Sequence, residues 1–302
     1  MHSEDMFNTF RNDMYYKYSQ ARKDYIDHPE KLIKLEKFMT GKVRYLIESH
    51  LDEIVHDFNE ASYLSPFWAE YPPLDRGRGP RGDQTPWIEV GEQAVGEKIK
   101  RYAAEAFEQV DDIAIPDGPD HRIGVKDSGI KRILQNTDSA MLFLDSKTVG
   151  PRDDKDEVVA SPNQVSGNGR WNSVLENVTN DSITAKGKRA SQDFQPALSP
   201  IIVDSAGTIR PVVLIFVKPV YSMNNQSGGS GQPLEKLKLI TVPNGLLLTQ
   251  SPNYVQQYKD DHLFYPGKDD KSTNILKRRA RINAIVLKKI ADWRYQVIDL
   301  LQ

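Results

Sequence analysis

Residues 141–149, MLFLDSKTV, carry the stretch whose reading decides the fold. Four apolar residues run into an acid, and the pattern is that of a strand, in which side chains two apart share a face. Asp145 and Lys147 therefore project side by side, a carboxylate next to an ammonium. Upstream, Asp120 follows Gly118-Pro119 in a turn. Two acids and a lysine are the parts that phosphodiester hydrolysis needs: hard oxygen ligands for a cation, an activated water, and positive charge for the developing phosphorane oxygens. The motif is permissive. Its bland alternative is an internal Asp145–Lys147 ion pair with Asp120 merely in a turn.

Composition narrows the field. At 302 residues the chain can bury a large core, and the expectation is a single domain over 1–302, with a helical N-terminal region at about 1–60 and a core at about 61–302. It has no cysteine, so disulfides, thiolate metal sites and a cysteine nucleophile are excluded. Any metal must sit on oxygen or imidazole. No apolar run approaches the ~18 residues of a membrane span, and the N-terminus MHSEDMFNTF is acidic where a signal peptide is basic, so a soluble, cytoplasmic protein is expected. The net charge of −2 gives no global attraction to nucleic acid. Local charge does, as at KRRAR in residues 277–281.

Outward from the central strand, residues 5–60 read as helical, with Leu32, Leu35, Phe38, Met39, Leu46, Leu51, Ile54, Val55 and Phe58 on one stripe and a break into two helices at Asp27-His28-Pro29. Such a hairpin packs on the core or on a dimer partner. Residues 62–86 form a loop rich in Pro, Gly and Arg, tied down by aromatics, which leaves Arg76, Arg78 and Arg81 for phosphates; a solvated basic turn is the alternative. A helix is expected from 87 to 109 with Glu89 and Glu92 on one face. The polar stretch 150–191 reads as ordered loops approaching a ligand backbone rather than a linker. A hairpin is expected from strands at 200–203 and 209–220, then a flexible 223–232, a strand at 234–242, a helix over 275–293 and a strand at 297–300. The histidines show no ligand spacing, although His121 adjoins Asp120. The sum is an α/β (α+β mixed) fold, a central mixed β-sheet flanked by helices.

Beyond the local motif, residues 64–97 (LSPFWAEYPPLDRGRGPRGDQTPWIEVGEQAVGE), 145–152 (DSKTVGPR), 161–169 (SPNQVSGNG), 242–246 (VPNGL) and 266–270 (PGKDD) occur in an order that resembles the BglI family of type II restriction endonucleases. The resemblance runs from about residue 20 to the C-terminus. It implies a restriction-endonuclease-like (PD-(D/E)xK) fold and a Mg²⁺-dependent, homodimeric enzyme cutting both strands of an interrupted G·C-rich palindrome in double-stranded DNA, GCCNNNNNGGC. A methyltransferase acting on the same site in the cell is also implied. Asp120, Asp145 and Lys147 would then be catalytic, with Asp120, Asp145, the Ser146 carbonyl and Glu92 as metal ligands. Lys268, Asp270, Arg279 and Asp153 would read bases, since cations suit guanine acceptors and carboxylates the cytosine amine. Arg76, Arg78, Arg81, Arg278 and Arg281 would hold the DNA backbone.

The resemblance weakens at 123–137, 155–159 and 172–188 and in the N-terminal helix, where spacing and flanking contacts could differ. The alternatives are a nuclease of the same kind with another specificity or role, in repair or a mobile element, and a catalytically inactive DNA-binding relative.

Overall fold

A computed structural model of the protein describes residues 3–60, 90–115, 118–172, 177–187, 190–222, 233–249, 262–267, 274 and 277–300. The loop expected at 62–86, the flexible 223–232, Ile88 and Glu89 lie outside these.

Residues 3–60 make three helices, α1 (Ser3–Asp27), α2 (Pro29–Ser49) and α3 (Leu51–Glu60). The expected break holds because Pro29 starts α2 without an N–H to lose. A second break, at His50, has no proline or glycine to announce it. A π-helical turn (Glu92–Glu97) leads into α4 (Lys98–Ala106), and the chain then passes through β1 (Gln109–Asp112) and β2 (His121–Lys126) to α5 (Ser128–Leu134), which starts at Asp127 with its carboxylate capping Gly129 N. The central strand follows as β3 (Ser139–Ser146) and is buried at every position.

The described residues of 150–191 form short strands: β4 (Glu157–Ala160), and the pairs β5 (Arg170–Trp171) with β6 (Val178–Thr179) and β7 (Ile183–Lys186) with β8 (Ser191–Phe194). The hairpin of β9 (Ile201–Val203) and β10 (Ile209–Tyr221) is antiparallel as expected, and β11 (Leu234–Val242) leads into the short α6 (Gly245–Thr249). The chain closes with β12 (Phe264–Pro266), β13 (Ala280–Asn283), α7 (Ala284–Ile290) and β14 (Tyr295–Asp299). Here the expectation of one helix over 275–293 fails. Arg281 and its neighbours pair with β4 and β12, and that ladder overrides helical spacing.

Among the described residues the main sheet has the order β1-β2-β3-β10-β11-β14, with β9 also on β10. It is mixed, because β3 and β10 are parallel while the other pairs are antiparallel. One face carries Ile123, Leu142, Leu144, Val213, Ile215 and Val217 and is covered by α1 to α4. The apolar stripe of the N-terminal helices, with Leu32, Leu35, Met39, Leu46, Ile54 and Phe58 buried, belongs to this core and not to a dimer seam. Burying each such side chain contributes roughly 1.5–3 kcal/mol. The other face, with Met141, Phe143, Leu214 and Phe216, is covered by the β12-β13-β4 sheet and α7.

Two of the stretches quoted above meet in the interior. Gly245 N donates to Ser166 Oγ at 2.9 Å, and a Cβ on Gly245 would collide with the Gly167 carbonyl. Asn244 Nδ2 donates to Pro200 O and Val212 O. Gly167 of SPNQVSGNG thus serves a close crossing within the protein. A buried Arg294–Glu36 pair, with Asn244 N donating to Glu36 Oε1 at 2.5 Å, links the 3₁₀ turn Asp292–Arg294 to α2. Losing one partner of such a pair costs about 3–5 kcal/mol.

Candidate active site

Because β3 is buried throughout, its C-terminal end delivers Asp145 with 0% exposure. Lys147 lies just past the strand but stays in the ladder, donating its N–H to Val217 O at 2.9 Å. The two side chains therefore share a face, and Lys147 Nζ pairs with Asp145 Oδ1. The ammonium also sits 5.9 Å from the ring centre of Phe216, the β10 residue in register with Asp145. The ion pair of the bland alternative is thus present.

Asp120 comes to the same place, directly before β2, whose first residue pairs with Leu144. Its Oδ2 accepts the Ser146 N–H at 3.0 Å. In an extended strand one residue's N–H and C=O point the same way, so the Ser146 carbonyl turns to this side as well. Glu92 opens the π-helical turn, and its charge acts on Asp145. The turn can approach because a Cβ on Gly96 would lie 2.9 Å from Ser146 Oγ.

Burial pushes the Asp145 carboxyl up to about 6, with the charges of Asp120 and Glu92 adding and Lys147 opposing. That is on the order of 3 kcal/mol set against the ionised form. A divalent cation would relieve such crowded negative charge; the donors that would hold it, from Asp120, Asp145, Glu92 and the Ser146 carbonyl, are hard oxygens, although the three carboxylates do not converge within 4.8 Å of one another in this structure. These residues fit Mg²⁺.

One further residue at the site was not anticipated. Gln164 donates its side-chain amide to Asp145 Oδ2, and its own oxygen accepts Ser161 N at 2.9 Å. The signal was present in SPNQ, where Ser three before Gln forms a capping box. His121 is buried with Nδ1 3.4 Å from Glu97, and burial pushes it below the usual histidine range.

A cleft of about 540 Å³ joins Glu92, Ser146 and Lys147 to Asp153, Lys155, Glu157, Lys218, Arg279 and Arg281. The expected cutting and base-reading residues Lys147, Asp153 and Arg279 therefore line one depression. Lys155 is exposed there and was not anticipated. Arg281 is largely engaged: it pairs with Glu157 at 2.9 Å and lies 6.0 Å from the Tyr265 ring centre. Arg278 precedes it and does not line the cleft. Arg76, Arg78, Arg81, Lys268 and Asp270 lie outside the described residues.

Behind the cleft is a lysine the sequence did not single out. Lys218 of β10 is 2% exposed, and its Nζ donates to the carbonyls of Asp153, Lys155 and Glu157 at 3.2, 2.7 and 3.0 Å. Burial, with Lys238 nearby, pushes it down to about 8, which leaves it charged at neutral pH.

A mixed sheet whose central strand ends in an acid and a lysine, beside a second acid, defines the class of restriction-endonuclease-like enzymes, and comparison with known proteins makes it specific. The family described as restriction endonuclease BglI matches residues 13–298. The type II restriction enzyme BglI of Bacillus subtilis is 43% identical over 298 residues, covering 98% of this chain and 99% of that protein. The crystal structure of BglI bound to its DNA recognition sequence superposes with a TM-score of 0.89 over 97% of this chain and 99% of that one. A structure of tetrameric restriction endonuclease SfiI bound to cognate DNA, 15% identical, shares the fold with a TM-score of 0.59 over 89% of this chain and 85% of that one. The chain belongs to the restriction endonuclease BglI family and is a type II restriction endonuclease.

Proposed function

We propose that the protein is a Mg²⁺-dependent homodimer that binds double-stranded DNA and cuts both strands of GCCNNNNNGGC, each subunit supplying one active site and one reading surface. The observation that carries this is the single cleft in which Lys147 of the Asp145 site and the reading candidates Asp153 and Arg279 stand together. A two-fold protein matches a two-fold site. α1 leaves Met6, Phe7, Phe10 and Tyr16 exposed, apolar surface available to a second copy. N-terminal helices and nuclease core act as one domain.

Asp120, Asp145, the Ser146 carbonyl and Glu92 would hold the ion, which would supply polarisation of the scissile phosphate and a lowered water pKa. Lys147 contributes its ammonium to the attacking water or a non-bridging oxygen, where charge develops. Its pairing with Asp145 keeps it in place. Gln164 fixes the Asp145 carboxylate. Arg279 and Asp153, with Lys268 and Asp270, read G·C edges in the major groove; Arg76, Arg78, Arg81 and Arg278 contact phosphates, joined by Lys155 and, more weakly given its Glu157 pair, Arg281. No helix among the described residues is long and apolar enough to cross a membrane. The enzyme works in the cytoplasm beside a methyltransferase that protects the same site.

Digestion of a DNA of known sequence with and without Mg²⁺, followed by sequencing of the fragment ends, tests the proposal. Fragments ending within GCCNNNNNGGC are expected. Ends at another sequence would overturn the specificity, and no cutting under Mg²⁺ would overturn the activity.

A further inference from the structure

Residues 153–157 run from the catalytic strand to the β4 edge of the second sheet, and they are gripped from two sides. The carbonyls of Asp153, Lys155 and Glu157 close around Lys218 Nζ, using all three ammonium protons. The side chains of the residues between them point to β11: Asp154 pairs with Lys236 at 3.1 Å and with Lys238, and Asp156 pairs with Lys238 at 2.9 Å and accepts from Tyr295 Oη. The alternation has a consequence for the cleft. Asp153, Lys155 and Glu157 line it, whereas Asp154 and Asp156 do not.

We propose that Lys218, together with Lys238, is a positioning residue for sequence discrimination: it caps the backbone of 153–157 and thereby holds the Asp153 carboxylate where a base edge passes. Lys218 touches no DNA in this role. It stands on the strand beside β3, in the β10 register that places Phe216 opposite Asp145, so the frame that fixes the cutting site also fixes the reading segment. A side chain presented to a base must be held closely, and a connection such as 154–156, irregular between a 3₁₀ turn and β4, gets that rigidity from such anchors. Cations in solvent can neutralise Asp154 and Asp156, whereas the buried Lys218 ammonium satisfies three converging carbonyls at once.

The proposal rests on Asp153 being a base-reading residue, and the test separates the two. Competition binding in Ca²⁺ compares a duplex carrying the site mapped by end sequencing with the same duplex bearing one inverted G·C pair, for the wild type, Asp153→Ala, Asp154→Asn, Lys218→Met and the double variant Lys218→Met/Asp153→Ala. Asp154→Asn and Lys218→Met should each lower the discrimination ratio about tenfold, the loss of one weakened base contact. In the Asp153→Ala background, Lys218→Met should change the ratio no further, which a general loss of stability would not produce. If Asp153→Ala discriminates like the wild type, Asp153 does not read bases and the positioning role falls with it. If Asp153→Ala loses discrimination while Lys218→Met keeps it, the reading assignment stands and the positioning role is overturned. Should Lys218→Met fail to fold, Lys218→Gln, which keeps a donor amide but cannot serve all three carbonyls, takes its place with the same expected loss; Asp154→Asn with unchanged discrimination removes Lys238 from the role.

Discussion

The backbone N–H of Ser146 donates to Asp120 Oδ2 at 3.0 Å, so the acid before β2 is locked to the residue between Asp145 and Lys147. One hydrogen bond thereby converts two distant sequence fragments into one constellation. Its acceptor is an exposed carboxylate and its neighbour Asp145 a buried one, so the two acids face different environments at one site.

Removing any of Asp120, Asp145 or Lys147 as alanine should reduce cleavage by orders of magnitude while specific DNA binding in Ca²⁺ persists, because their contribution arises mainly in the transition state. Gln164→Ala should give a smaller loss, as the carboxylate it steadies remains. Single-turnover cleavage and gel-shift binding measure both. Wild-type cutting by Asp145→Ala would end the metal-site assignment.

Arg279 and Lys155 line the same cleft but should respond differently. Arg279→Ala should cost about 1–3 kcal/mol per half-site for the cognate duplex and relax discrimination. Lys155→Ala should weaken all duplexes alike and make the dependence on salt shallower by about one counterion. Equal weakening of cognate and inverted duplexes by Arg279→Ala would make it a phosphate clamp.

Assembly is checked by sedimentation and by the course of plasmid cutting. A dimer at micromolar concentration should produce linear DNA without a long-lived nicked form. Replacing exposed Phe7 and Phe10 with serine should shift the protein toward monomer if α1 carries the contact. A strict monomer that cuts both strands in one encounter would exclude the dimer.

Acid should loosen the 153–157 segment. Burial pushes Asp154 and Asp156 up, but the Lys238 and Lys236 pairs of Asp154, and the Tyr295 and Lys238 bonds of Asp156, outweigh it and hold both below the usual carboxylate range. Their folded pKa values are thus depressed, so the stabilisation is fully present above the unfolded value of about 3.9 and disappears as pH falls through the folded values. Thermal denaturation should show the wild type more stable than Asp154→Asn at pH 7, with the gap closing as pH falls below the unfolded value of about 3.9 and through the folded one. A gap that widens in acid would contradict the ion-pair account.

What the sequence determined by itself was local. The period-two pattern placed Asp145 and Lys147 on one face, the turn at Asp204 and Gly207 joined β9 to β10, and Pro29 divided the first two helices. These follow from neighbouring residues and need no partner. The capping box that carries Gln164 was equally legible in principle, but nothing in it says which carboxylate the amide will meet. Tertiary structure decided the rest. Residues 280–283 became a strand because β4 and β12 offered hydrogen-bonding edges, although their apolar spacing also suits a helix. Lys218 reads in sequence as a charge at the end of an apolar strand; only the convergence of three carbonyls from another segment makes it an anchor. Contacts between distant segments depend on how sheet register and loop paths bring the chain together, and no short window of sequence contains that information.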